Sequence, residues 1–201
     1  MPEIFRSEKN DGFINIWQIE EPLSFFDKTV DAGTLKLFAE RFATEKRVIE
    51  KLVPHYVLRD YDPLVKLNNT ERKPLTNNGF ISVSHCKNFV ATAYSKSNEQ
   101  GIDIEYYGDR ILKIRHKYLD ETERGFCGDD STKCIMVWAA KESIFKKYGG
   151  NTVYFAENIH LDEMTKQKQQ VLHAKITLDN KVITQQLFCE LFDEFVLVYT
   201  L

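Results

Sequence analysis

Cysteine is scarce in this chain: there are four in 201 residues (Cys86, Cys127, Cys134, Cys189), with no CxxC pair and no Cys/His grouping of zinc-finger spacing. A disulfide-stapled secreted scaffold would use the residue more densely, so reduced thiols in a cytoplasmic protein are expected. No apolar run approaches the roughly 18 residues of a membrane helix. The opening, MPEIFRSEKNDGF, carries charges where a signal peptide needs an apolar stretch. An excess of positive charge is also missing. With a formal net charge of −3, nothing draws the whole chain to nucleic acid or anionic membrane, so any anion binding must be local. Core material, by contrast, is plentiful: 43% of residues are apolar and 14 are Phe, which argues against disorder.

A chain of this length forms one large domain or two small ones sharing an interface. Residues 13–20 (FINIWQIE) alternate apolar and polar, as a half-buried strand does, and Pro22 breaks the pattern. Between 34 and 58 apolar residues recur at helical intervals, and Pro54 predicts a division into two helices. Residues 60–78 read as loop or short extended pieces. Residues 80–84 and 88–96 read as a hairpin turning at 85–87, and 101–106 (GIDIEY) as a short strand. Helical spacing returns at 111–119 and 132–148, the second ended by Gly149 and Gly150. Three alternating stretches follow at 171–178, 181–191 and 194–201, with Asp179-Asn180 as a two-residue turn. This order predicts an α+β fold of two similar halves, 1–98 and 99–201. Each half would have a small antiparallel sheet and packed helices, although no internal repeat is visible.

Two short stretches carry chemistry. In Gly101-Ile102-Asp103-Ile104-Glu105 a strand would turn Asp103 and Glu105 to one face, about 6.6 Å apart. Carboxylates that close repel unless one is protonated or a cation lies between them. The plain alternative is a solvated acidic face. In Trp138-Ala139-Ala140-Lys141-Glu142-Ser143-Ile144-Phe145-Lys146, positions 138, 142, 145 and 146 share a helix face. Trp138 and Phe145 would pack around Glu142, with Lys146 in reach of it. An ordinary i,i+4 Glu–Lys pair is the plain alternative here. A carboxylate between two aromatic rings needs a partner, and three carboxylates with waters suit Mg²⁺.

Together these stretches resemble the signature of the Sfp-type 4′-phosphopantetheinyl transferases, G-(I/V)-D-(I/V)-E followed, several tens of residues on, by W-x-x-K-E-(S/A)-x-x-K. Arg72-Lys73-Pro74, the strand ending in Ser84-His85, and a helix with Arg47 and later Leu58-Arg59 extend the resemblance over residues 35–150. It implies a pseudo-dimer of two α+β halves with the active site at their interface. The implied reaction transfers the 4′-phosphopantetheine of coenzyme A to a serine hydroxyl of an apo acyl or peptidyl carrier protein, releasing 3′,5′-ADP. By the same resemblance Asp103, Glu105 and Glu142 would bind Mg²⁺, Lys146, Ser84 and His85 would contact coenzyme A, and Arg47 and Lys73 would hold its nucleotide end. Glu142 and Lys146 would be catalytic. No contact is assigned to Lys141. The chain departs from the family pattern at Cys86, commonly Ser, and at Arg72, usually Gly.

Acidic carrier proteins call for a basic docking surface, and the candidates are Arg110, Lys113 and Arg115, with a plain amphipathic helix as the alternative. Short relatives of the family form trimers, so a chain long enough for two halves is expected to be monomeric. Two other classes remain: a Mg²⁺-dependent phosphatase or nuclease, and a coenzyme A-binding or interaction protein of the same fold without catalysis.

Overall fold

The computed structural model describes residues 2–9, 11–69, 74–149 and 153–201. The chain is α+β and divides into two compact units, Met1–Gln100 and Gly101–Leu201. Among the described residues no helix is long and apolar enough to cross a membrane.

The first unit contains β1 (Glu3–Lys9), β2 (Gly12–Gln18), α1 (Ala32–Arg41), α2 (Glu45–Tyr61), β3 (Leu67–Asn69), β4 (Pro74–Thr76), β5 (Phe80–Cys86) and β6 (Phe89–Ser95). Its main sheet is antiparallel in the order β1-β2-β6-β5, and β3 pairs only with β4. The helix break falls at 42–44, where Thr44 caps α2 by accepting from the Arg47 amide, and not at the expected Pro54. Proline inside a helix costs about 3 kcal/mol. Leu52, Val53, Val57 and Leu58 are nearly fully buried against Phe13, Trp17 and Tyr94. At about 2 kcal/mol each, their burial outweighs the proline, and α2 runs through.

The second unit contains β7 (Ile102–Tyr106), α3 (Arg110–Ile114), α4 (Glu121–Cys127), α5 (Ser131–Tyr148), α6 (Phe155–Asn158), β8 (Ile159–Leu161), β9 (Gln169–Leu178), β10 (Lys181–Leu191) and β11 (Phe195–Thr200). Its antiparallel sheet runs β7-β11-β10-β9-β8. Asp179 and Asn180, both at positive φ, make the expected tight turn between β9 and β10. Besides the short α6 and β8, two elements were not read from the sequence. The charged strand β1 forms by pairing with β2, and α4 is a short helix held by an Asp120/Glu123 capping box.

Helix α5 packs on β7 and β11. The contact is close: a side chain at Gly101 would overlap the Ser143 carbonyl oxygen, so only glycine fits at the start of β7. The Ser143 hydroxyl lies 2.9 Å from the Val198 carbonyl and 2.8 Å from that of Ala139, joining helix to strand.

Candidate functional site

Strand alternation turns Asp103 and Glu105 to the face of β7 that α5 covers, while Ile102 and Ile104 point the other way and are also buried. The acidic face is therefore not a solvated outer one. Lys146 bridges to it: its ammonium donates to Asp103 Oδ1 at 2.7 Å and to the Ile102 carbonyl at 3.0 Å. The expected Glu142–Lys146 pair is replaced by this ion pair, because Asp103 is only 3% exposed and needs a cation more.

The Trp138 indole N–H donates to Glu105 Oε1 at 2.8 Å, so Trp138 orients a carboxylate as well as filling space. Its ring and that of Phe145 both meet Phe155. Burial first, and then the charge of Asp103, push the Glu105 carboxyl up to about 7; Glu142 adds to the effect, while Trp138 and Lys146 oppose it. Burial and Asp103 likewise raise Glu142. The three carboxylates thus lie in one another's field.

Among the described residues no three His, Cys, Asp or Glu side chains are gathered closely enough to hold a metal as placed. The donor set nevertheless fits Mg²⁺ in chemistry, since three oxygen donors share a surplus of negative charge that a divalent cation relieves.

In the first unit, His85 lies on β5 opposite Val90 and not in the turn, which is formed by Lys87 at positive φ and Asn88. Its ring is reached by Arg47, whose Nη1 lies 3.4 Å from both ring nitrogens. Both side chains meet Glu50, with Arg47 Nη1 at 2.6 Å and His85 Nδ1 at 3.8 Å from Oε2. Ser84 alternates to the opposite sheet face and is buried there, so it does not join this cluster. Lys73 and Arg72 lie outside the described residues.

A scan against models of known protein families gives no match, and a search of curated proteins gives none either.

Lys141 is fully buried and donates to Glu123 Oε2 at 2.6 Å, the Tyr118 carbonyl at 2.7 Å and the Phe155 carbonyl at 2.9 Å. Glu123 in turn accepts from the Leu161 and Asp120 amides. Every donor of the ammonium is used, which is what keeps a dry ion pair affordable. Its role is to fix α5 to its surroundings. Sequence reasoning missed Glu50 and the role of Lys141, and one signal marks both. Glu50 sits three, four and seven residues before Val53, Pro54 and Val57, and Lys141 lies between Val137 and Ile144 on the apolar stripe of α5.

Of the docking candidates, Arg110 and Lys113 are exposed, while Arg115 is held by Asp129 at 2.6 Å and the Gly128 carbonyl at 2.9 Å. A separate cavity of about 560 Å³, lined in part by Phe38, His55, Arg59 and Lys66, includes none of the expected site residues.

Proposed function

We propose that this chain is a Mg²⁺-dependent 4′-phosphopantetheinyl transferase of the Sfp type, acting on coenzyme A and the serine of an apo acyl or peptidyl carrier protein. The observation that carries the reading is the face between β7 and α5. There, on residues drawn from both signature stretches, burial and the charge of Asp103 raise the proton affinity of Glu105 and Glu142, beside Lys146. A fold gains nothing in stability from one buried and two half-buried carboxylates that repel, whereas a site for a cation and a polyphosphate needs them.

Bound to Asp103, Glu105 and Glu142, Mg²⁺ would supply charge neutralisation and orientation of the pyrophosphate. Glu142, made more basic by burial and by Asp103, accepts the proton of the carrier serine. The serine oxygen bonds to the β-phosphorus as the pyrophosphate bridge breaks, and 3′,5′-ADP leaves. Lys146 and His85 stabilise the charge growing on the phosphates. Arg47 and Lys73 hold the nucleotide end. The reading requires residues of both halves to act on one coenzyme A, the interface active site of a monomeric pseudo-dimer. The three-strand order common to the two sheets, β2-β6-β5 and β7-β11-β10, supports similar halves. For the acidic carrier, Arg110 and Lys113 are the basic side chains that remain after Arg115 is engaged.

The Asp103–Lys146 ion pair favours one other reading, a coenzyme A-binding protein without catalysis. Mass spectrometry of an apo carrier incubated with the chain, coenzyme A and Mg²⁺ separates them. The transferase adds the mass of the phosphopantetheine arm and stops on adding EDTA. An unmodified carrier, tested across fatty acid, polyketide and nonribosomal peptide types, would end the proposal.

A further inference from the structure

We infer that Glu50 is the positioning residue of a phosphoryl-binding subsite on the first unit, holding Arg47 and His85 side by side. That the phosphoryl group belongs to coenzyme A rests on the transferase reading; the subsite itself does not.

Arg47 comes from α2 and His85 from β5, yet the guanidinium Nη1 lies 3.4 Å from both imidazole nitrogens. A guanidinium and a protonated imidazole that close would repel. Glu50 is the compensating charge. Its carboxylate is 3% exposed, takes a 2.6 Å hydrogen bond from Arg47, and lies 3.8 Å from His85 Nδ1. The depths are ordered. The carboxylate is at the bottom, the imidazole side chain is 34% exposed and the guanidinium side chain 54%. A buried acid thus anchors the inner edges of two groups that reach outward. Planar guanidinium and imidazolium donors fixed side by side suit the several oxygens of a phosphoryl group.

The alternative is that Glu50 merely satisfies a stray arginine. A solvent-exposed arginine needs no such partner, and burying a carboxylate for it would be a net loss. Glu50 also repels an incoming anion by its own charge, so the subsite works only if holding Arg47 and charging His85 outweigh that repulsion. Substitution measures the balance directly.

The test is to follow the ring-proton resonances of His85 by NMR while the full-length chain is titrated with inorganic phosphate. His55, His116, His160 and His173 serve as internal references. In the wild type, phosphate should move the His85 signals selectively. Glu50→Gln, which keeps the shape and removes the charge, should bind about tenfold more weakly, as expected for losing one charge-assisted contact. Glu50→Asp, which keeps the charge, should fall between them with the reference histidines unmoved. Equal or tighter phosphate binding by Glu50→Gln, or no response of His85 in the wild type, overturns the inference. If phosphate binds as expected but coenzyme A does not displace it, the subsite stands and the transferase reading falls.

Discussion

In the first unit, the strand that precedes the helices, β2, places Asn15 beside Thr92 of β6, with Val83 of β5 next in the row. In the second, β7 places Asp103 beside Val198 of β11, with Cys189 of β10 next. Part of the wiring agrees: the strand before the helices, β2 or β7, pairs with the last strand of its unit, and the last with the one before it, while β1 in the first sheet and β9 and β8 in the second extend opposite edges. The polar groups differ. Asn15 is a fully buried amide whose nitrogen donates to Glu3, itself near Arg6. A neutral amide can be buried on such terms. Asp103 in the matching place is a charge, and it is served by Lys146 from α5 and crowded by Glu105 and Glu142. The first unit thus carries a buried amide at this place and the second a cluster of carboxylates beside a lysine.

Three substitutions probe this contrast, beginning with the most damaging. The second unit rests on a dry Lys141–Glu123 pair in which both side chains are fully buried. Lys141→Ala strands Glu123 and should remove about 4 kcal/mol of stability. Thermal unfolding would register this, and a melting temperature within about 2 °C of wild type would show that the pair is dispensable. Next, Asp103→Asn gives the second unit what the first has at Asn15. Carrier modification should fall about a hundredfold while the fold is kept, because the lost charge matters to the reaction and not to packing. Unchanged turnover would detach the site from the chemistry.

The smallest effect is a pH dependence. The Glu105 carboxyl is raised from 4.5 to about 7 in the folded chain. Between those values the folded state holds a proton that the unfolded chain has released, so stability falls as pH rises from about 4.5 to about 7 and stays lowered above. Glu105→Gln removes this slope. At about pH 8 the variant should melt about 5 °C above wild type, and at about pH 4 the two should coincide. Parallel curves at every pH would place Glu105 outside the coupled cluster.

Much of this contrast was legible in the sequence. Alternation marked β7 and helical spacing marked α5, while the grouping of Asp103, Glu105 and Glu142 came from the family resemblance. The hidden part depends on tertiary burial. Helical period gave α2 but misplaced its start, since the buried face of Leu52 and Val57 overrides Pro54. Lys146 has two carboxylates within reach, and only the depth of Asp103 decides between them. Glu50 was marked only by its place on the apolar stripe of α2; its meaning appears once β5 brings His85 against that helix.

On the transferase reading, the acidic face between β7 and α5 takes one divalent cation. Electron paramagnetic resonance of Mn²⁺, added to the chain with coenzyme A present, measures it without relying on turnover. One bound ion per chain, displaced by Mg²⁺ and lost in Glu142→Gln, is the predicted result. Equal Mn²⁺ uptake by wild type and Glu142→Gln, or none by either, would contradict it.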